Sequence, residues 1–144
     1  MEDNIELMHS YPDFPKDAIE AFKNLTSKYK LKPTSKGIYS VNFDNKFCRL
    51  NFNMDRYDLQ GLFYRKRGLL FKKIETETHS INQIVITLFP DSNFLKTFPK
   101  ATYGNKDETR KLLLWYADIV ENYLETVLIG DFSRLDKMVK KASL

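Results

Sequence analysis

Five cations within ten positions are the densest candidate for chemistry in this chain. The stretch YRKRGLLFKK, residues 64–73, carries Arg65, Lys66, Arg67, Lys72 and Lys73, with Tyr64 and Phe71 among them. Cations neutralise phosphates and an aromatic ring stacks on an unpaired base, which is the chemistry of single-stranded nucleic-acid binding. The same residues also suit the solvated tip of a β-hairpin, where Lys and Arg keep an exposed edge from pairing with another chain. A third reading is a contact surface for an acidic protein. Alternation favours the hairpin, because Leu69 and Phe71 share one face of its second strand while Leu70, Lys72 and Ile74 share the other. An RNA-recognition sheet would also want exposed aromatics on central strands in βαββαβ order, and the order read below is different.

The remaining reactive residues do not converge. His9 lies in an acidic N-terminal arm and His79 in the turn-like ETETHSIN. Two histidines could act as base and acid in a metal-independent ribonuclease, but their spacing does not bring them together. Cys48 falls on the apolar set of its strand and reads as a small buried hydrophobe. Glu75 with Glu77, and Asp55 with Asp58, are paired acids without the further oxygens that a hard cation requires. There is no Walker loop, no GxGxxG and no CxxC. The sequence therefore predicts no enzyme, no metal and no cofactor.

The elements that must position these residues follow from periodicity. Asp13 and Pro15 mark a helix start, and Ala18, Ile19, Phe22, Leu25 and Tyr29 give it one apolar face. KLKPTSKG is expected to end that helix at Pro33. The period then becomes two. Tyr39, Val41 and Phe43, then Cys48, Leu50, Phe52 and Met54, alternate with polar residues across the turn DNK. A second hairpin turns at RKRG, and NQIVITLF, residues 82–89, is expected as a central strand on its β-branched content. A long aromatic loop occupies 90–106, and a helix is expected from about Asp107 to Ile129, closed by Gly130. Ser133 is expected to cap a short last helix with Asp136 in the capping-box position. The fold class is α+β: an N-terminal helix, a five-stranded antiparallel meander sheet, and a long C-terminal helix plus a short terminal one, packed on one face. Residues 1–144 read as one domain, with 1–12 an irregular arm.

Composition is that of a globular protein, with 42% hydrophobic, 14% aromatic and 29% charged residues. A single cysteine excludes an intramolecular disulfide framework and suits a reducing compartment. The acidic start MEDNIELMHSYPDF lacks the basic and apolar regions of a secretory signal, and no apolar run approaches the roughly 20 residues of a membrane span. The expected location is cytoplasmic. Net charge is +4, but residues 1–20 carry six acids and one base, whereas 21–75 carry thirteen bases and four acids. Such a field favours an anionic partner.

The stretch LLLWYADIVENYLETVLIGDFSRLDKM, residues 112–138, places paired aromatics on a long amphipathic helix that closes on GDFS before a short last helix. With the helix–meander–helix layout, it resembles the α+β immunity proteins that neutralise bacterial toxins of contact-dependent and other polymorphic toxin systems. The resemblance implies a non-enzymatic inhibitor that binds one cognate toxin domain in the cytoplasm and occludes its active site. The basic sheet region implies an acidic contact face on that toxin. The expected contact residues are Tyr64, Arg65, Lys66, Arg67, Lys72 and Lys73 of the hairpin. The loop adds Phe94, Lys96, Phe98, Lys100 and Tyr103. The alternative is a basic nucleic-acid-binding protein that uses the 64–73 hairpin.

Overall fold

Phe22 interrupts the N-terminal helix that the apolar spacing predicts as one piece. In the computed structural model, which describes residues 11–55, 58–67, 73–99 and 106–142, the helix divides into α1 (Phe14–Ala21) and α2 (Lys23–Tyr29). The apolar face survives the break: Ala18, Phe22, Leu25 and Tyr29 are all buried. Asp13 holds the N-cap position, but its side chain makes no capping bond. At the other end Lys30 takes the left-handed conformation, φ 56°, and the amide of Leu31 reaches back to the Thr26 carbonyl at 3.1 Å. This is a Schellman closure made without glycine.

The residues expected only to end that helix form a strand. β1 (Lys32–Lys36) pairs antiparallel with β2 (Ser40–Asp44), with Pro33 opposite Phe43. As the outermost strand, β1 can hold a proline that a central strand could not. β3 (Cys48–Asp55), β4 (Asp58–Arg67) and β5 (Lys73–Ser80) continue the antiparallel order β1-β2-β3-β4-β5. Register aligns Val41 with Phe52, and Phe43 with Leu50 and then Phe63, so the apolar sets of β2, β3 and β4 form one face. Gly61 lies opposite Phe52. A β-carbon there would stand 2.9 Å from the Tyr116 ring and 3.0 Å from Ile81.

The expected central strand 82–89 is instead helix α3 (Ile81–Leu88). The Ser80 hydroxyl accepts from the Gln83 amide at 3.0 Å, which caps the start. Ile81, Ile84, Val85 and Leu88 are buried at helical spacing, so the burial pattern overrides the strand preference of the β-branched residues. A 3₁₀ turn (Phe94–Thr97) follows, then α4 (Lys106–Tyr123), α5 (Glu125–Leu128) and α6 (Ser133–Ala142). The expected helix to Ile129 is thus broken at Leu124, which is fully buried. Gly130, just past the end of α5, takes φ 91°. Ser133 is not the cap of α6. Asp131 accepts from both the Ser133 amide (3.1 Å) and its hydroxyl (2.6 Å), which holds the Asp131 carboxyl below the usual range.

The chain is α+β, with α1 packed on β2 and α4, α3 on β4 and β5, and α6 on α3. Phe22 joins the layers, its ring centroid 4.9 Å from that of Phe43 and 4.6 Å from that of Phe52. The opposite face of the sheet is polar. There the Asn51 amide donates to Ser40 (3.0 Å) and Asn42 (2.7 Å), and the Asn53 amide donates to Asn51 (2.6 Å). Among the described residues, no helix is long and apolar enough to cross a membrane.

Candidate functional site

A furrow runs along the seam between α1–α2 and α4, and Leu114 stands at its middle. Helix α4 turns Leu112, Leu113, Tyr116, Ile119 and Val120 inward. Four consecutive apolar residues, Leu112 to Trp115, cannot all share that inward face of a helix. Leu114 is the one left out, 58% exposed. On one side of it a hollow of about 410 Å³ is lined by Asn24, Leu25, Thr97, Pro99 and Trp115. On the other side lies a second, of about 420 Å³, lined by Asp17, Glu20, Lys23 and Arg110. Both include Ala21, Asn24 and Leu114, which makes them one furrow.

Trp115 fastens the long loop to its rim. Its indole N–H donates to the Thr97 hydroxyl at 2.8 Å, and that hydroxyl donates to the Phe94 carbonyl at 2.6 Å. The indole is stacked on Phe94 at 6.1 Å, and Phe98 meets it edge-on at 4.9 Å. Such aromatic pairs add about 1 kcal/mol each beyond their buried area. Phe98 nevertheless remains 43% exposed, and Leu95 and Lys96 on the same turn also face solvent.

The far end of the furrow is held by charge. The Tyr11 hydroxyl donates to the Asp17 carboxylate at 2.6 Å, and Arg110 donates to the same oxygen at 2.9 Å. Burial alone would raise the Asp17 carboxyl. The hydrogen bonds from Tyr11 and Arg110, with the charge of Arg110, outweigh it and leave the group below the usual carboxylate range. The Tyr11 phenol moves the other way, pushed well up by burial, then by its hydrogen bond to Asp17 and the Asp17 charge. The hydrogen bond to Asp17 and its charge raise the Arg110 guanidinium still further. This arrangement suits an inserted apolar side chain bordered by ion pairs, the usual form of a protein hot spot.

Of the stretch singled out in the sequence, Tyr64, Arg65, Lys66 and Arg67 lie on β4 and Lys73 on β5, and the two strands pair antiparallel. Arg65 forms an ion pair with Asp136 of α6 at 2.6 Å and lies 4.2 Å over the Phe132 ring. Lys66 donates to the Asn45 carbonyl at 2.6 Å and approaches Asp44 at 3.8 Å. Arg49 holds the same Asp44 with two bonds, at 2.6 and 3.1 Å. Arg65 and Lys66 are thus engaged with other parts of the fold, Arg65 in an ion pair that stays exposed to solvent. Tyr64 is half-buried, opposite Arg49 and Thr78, and Arg67 pairs with Lys73 in the ladder. Lys72, Lys100, Tyr103 and His9 lie outside the described residues. Phe94, at 4% exposure, lies in the core, stacked on Trp115. Of the expected loop contacts, Lys96 and Phe98 stand open to solvent.

Cys48 is buried, and burial pushes its thiol up to about 12, so it is no nucleophile at neutral pH. Among the described residues, no group of three or more His, Cys, Asp and Glu side chains could hold a metal ion. The sequence reading passed over Ala21, Asn24 and Leu114. The run LLLW was the available signal for Leu114. Nothing local announces that α1 and α2 would form the opposite wall. No protein-family model matches the chain, nor does any curated protein or solved structure.

Proposed function

We propose that this chain is a non-enzymatic protein-binding module that uses the α1–α2/α4 furrow and the Phe98 turn as its contact surface. The observation that carries the reading is the exposed Leu114 at the centre of a furrow whose rim is fixed by stacked aromatics. A rigid aromatic rim around an open apolar centre gives binding energy without large ordering cost. The resemblance of residues 112–138 to immunity proteins supplies the finer proposal: a cytoplasmic inhibitor that covers the active site of one cognate bacterial toxin domain. The first part of the resembling stretch, residues 112–123, belongs to α4, the helix that carries Leu114. The basic 21–75 region favours an acidic partner, while the furrow itself offers both charge signs to it.

The test is paired affinity capture from nuclease-treated lysate of the source organism, with the parent chain and with Leu114→Glu, followed by co-expression of the captured protein. One stoichiometric protein, retained by the parent and lost by the variant, with toxicity relieved by the parent alone, is the expected result. Equal retention by both chains would remove the furrow from the proposal. Capture only of nucleic acid from untreated lysate would transfer the function to the hairpin.

A further inference from the structure

At the other end of α2, a cleft of about 520 Å³ has an apolar floor and a rim of a single charge sign. Tyr29, Phe47, Leu128 and Ile129 supply the apolar lining, and Lys28, Lys30 and Lys46 stand around it with no acidic residue among them. The volume falls within the range of about 300–1,000 Å³ usual for small-ligand sites. The Lys28 ammonium lies 5.4 Å from the Tyr29 ring centre and the Lys46 ammonium 5.0 Å from that of Phe47. Among the described residues, none of the three lysines is paired with a carboxylate. Ile129, at the rim, is 57% exposed.

The negative end of the backbone at this cleft is partly masked. The ends of α2 and α5 would turn bare carbonyl oxygens toward it, which repel negative charge. Asn45 lessens that obstacle, because its side-chain amide donates to the Tyr29 carbonyl (3.2 Å) and the Leu128 carbonyl (2.8 Å). Lys30 is the one described residue other than glycine with positive φ, a conformation that costs about 1 kcal/mol and places its side chain at this cleft. The Tyr29 hydroxyl is buried with no hydrogen-bond partner among the described residues. A buried polar group without a partner requires an explanation.

We infer that this cleft is a binding site for a small amphipathic anion, a free carboxylate with an apolar body, the head group held by the lysines and the body laid on Phe47, Leu128 and Ile129. The inference is independent of the protein-binding furrow. It is tested by amide NMR titration of the full chain with laurate below its micelle concentration. Dodecyltrimethylammonium and inorganic sulfate serve as the charge and apolar controls.

Saturable laurate shifts confined to residues 28–30, 45–47 and 128–129 are expected, with both controls binding at least about tenfold more weakly. The Lys28→Gln/Lys46→Gln variant, which keeps side-chain length and the fold's fingerprint, should weaken laurate about tenfold. Equal response to the cationic and anionic chains would overturn the site. So would shifts centred on Leu114, or laurate affinity unchanged in the double variant.

Discussion

Helix α2 has a hollow at each end, and the two are built by opposite means. At its start, Asn24 and Leu25 border a furrow shaped by side chains, with Trp115 stacked on Phe94 and touched by Phe98. At its finish, Tyr29 and Lys30 border a cleft fixed by backbone, because one asparagine ties the carbonyls of two helices together. The furrow carries both charge signs and the cleft only one. The furrow is an open trough with a stacked aromatic rim, whereas the cleft's walls are tied through the Asn45 side chain to the main chain of two helices. The furrow therefore suits a protein surface and the cleft a small, charged ligand.

The hardest blow to this contrast is Asn45→Ala. Besides the two helix carbonyls, the Asn45 side-chain oxygen accepts from the amides of Phe47 (2.8 Å) and Cys48 (3.0 Å). Leaving several such groups unpaired should cost about 3 kcal/mol or more, read as a lowered denaturant midpoint with unchanged slope. A loss below about 1 kcal/mol would mean that water replaces the side chain and the cleft is not backbone-fixed.

Gly130→Ala comes next. A β-carbon there meets the Phe47 ring at 2.5 Å, at a φ of 91°. Strain and displacement of that ring should destabilise the fold by about 2 kcal/mol and weaken laurate in the cleft, while partner capture through the furrow persists.

Leu114→Glu should behave in the reverse manner. An exposed helix position tolerates it within about 0.5 kcal/mol by thermal melt, yet partner binding is lost.

The smallest effect expected is the pH response of the clasp at the furrow's far end. Asp17 lies below its ordinary value of 3.8 in the fold, so its stabilisation is complete above that value and is lost as pH falls through the folded pKa. Tyr11 is raised above 10.0, so its stabilisation is complete below that value and lost as pH rises through the folded pKa. Melting temperatures of the parent and Asp17→Asn should therefore converge in acid and differ at neutral pH.

The sequence made the sheet hairpins legible because one face is wet and the other dry. Cys48, Leu50, Phe52 and Met54 alternate with Arg49, Asn51 and Asn53, and the register keeps that alternation. β1 was hidden for the same reason. It is an outer strand with four of its five residues exposed, so it has no dry face to alternate with. Residues 81–88 misled in the opposite sense. Ile84, Val85, Ile86 and Thr87 favour strand individually, while Ile81, Ile84, Val85 and Leu88 carry the helical spacing that burial obeys. At the candidate sites, Phe98 and Lys96 could be nominated from a long aromatic loop. Phe94 could not be told from Phe98, because only the Trp115 stack separates core from rim. Asn45 read as an ordinary turn residue. Its decisive bond is to Leu128, 83 residues away, and no local pattern encodes that distance.

The chain's lone thiol has a use that follows from its setting. Cys48 begins β3, fully buried, with its sulfur 3.6 Å from the Asn45 side-chain oxygen. A thiol-specific reagent can reach it only when the strand parts from the Asn45 turn, and the thiolate it attacks is scarce until then. The rate of labelling in the native protein thus reports how often that corner opens, without any introduced probe. Protection by a bound ligand would register as slower labelling, giving the cleft a clock of its own.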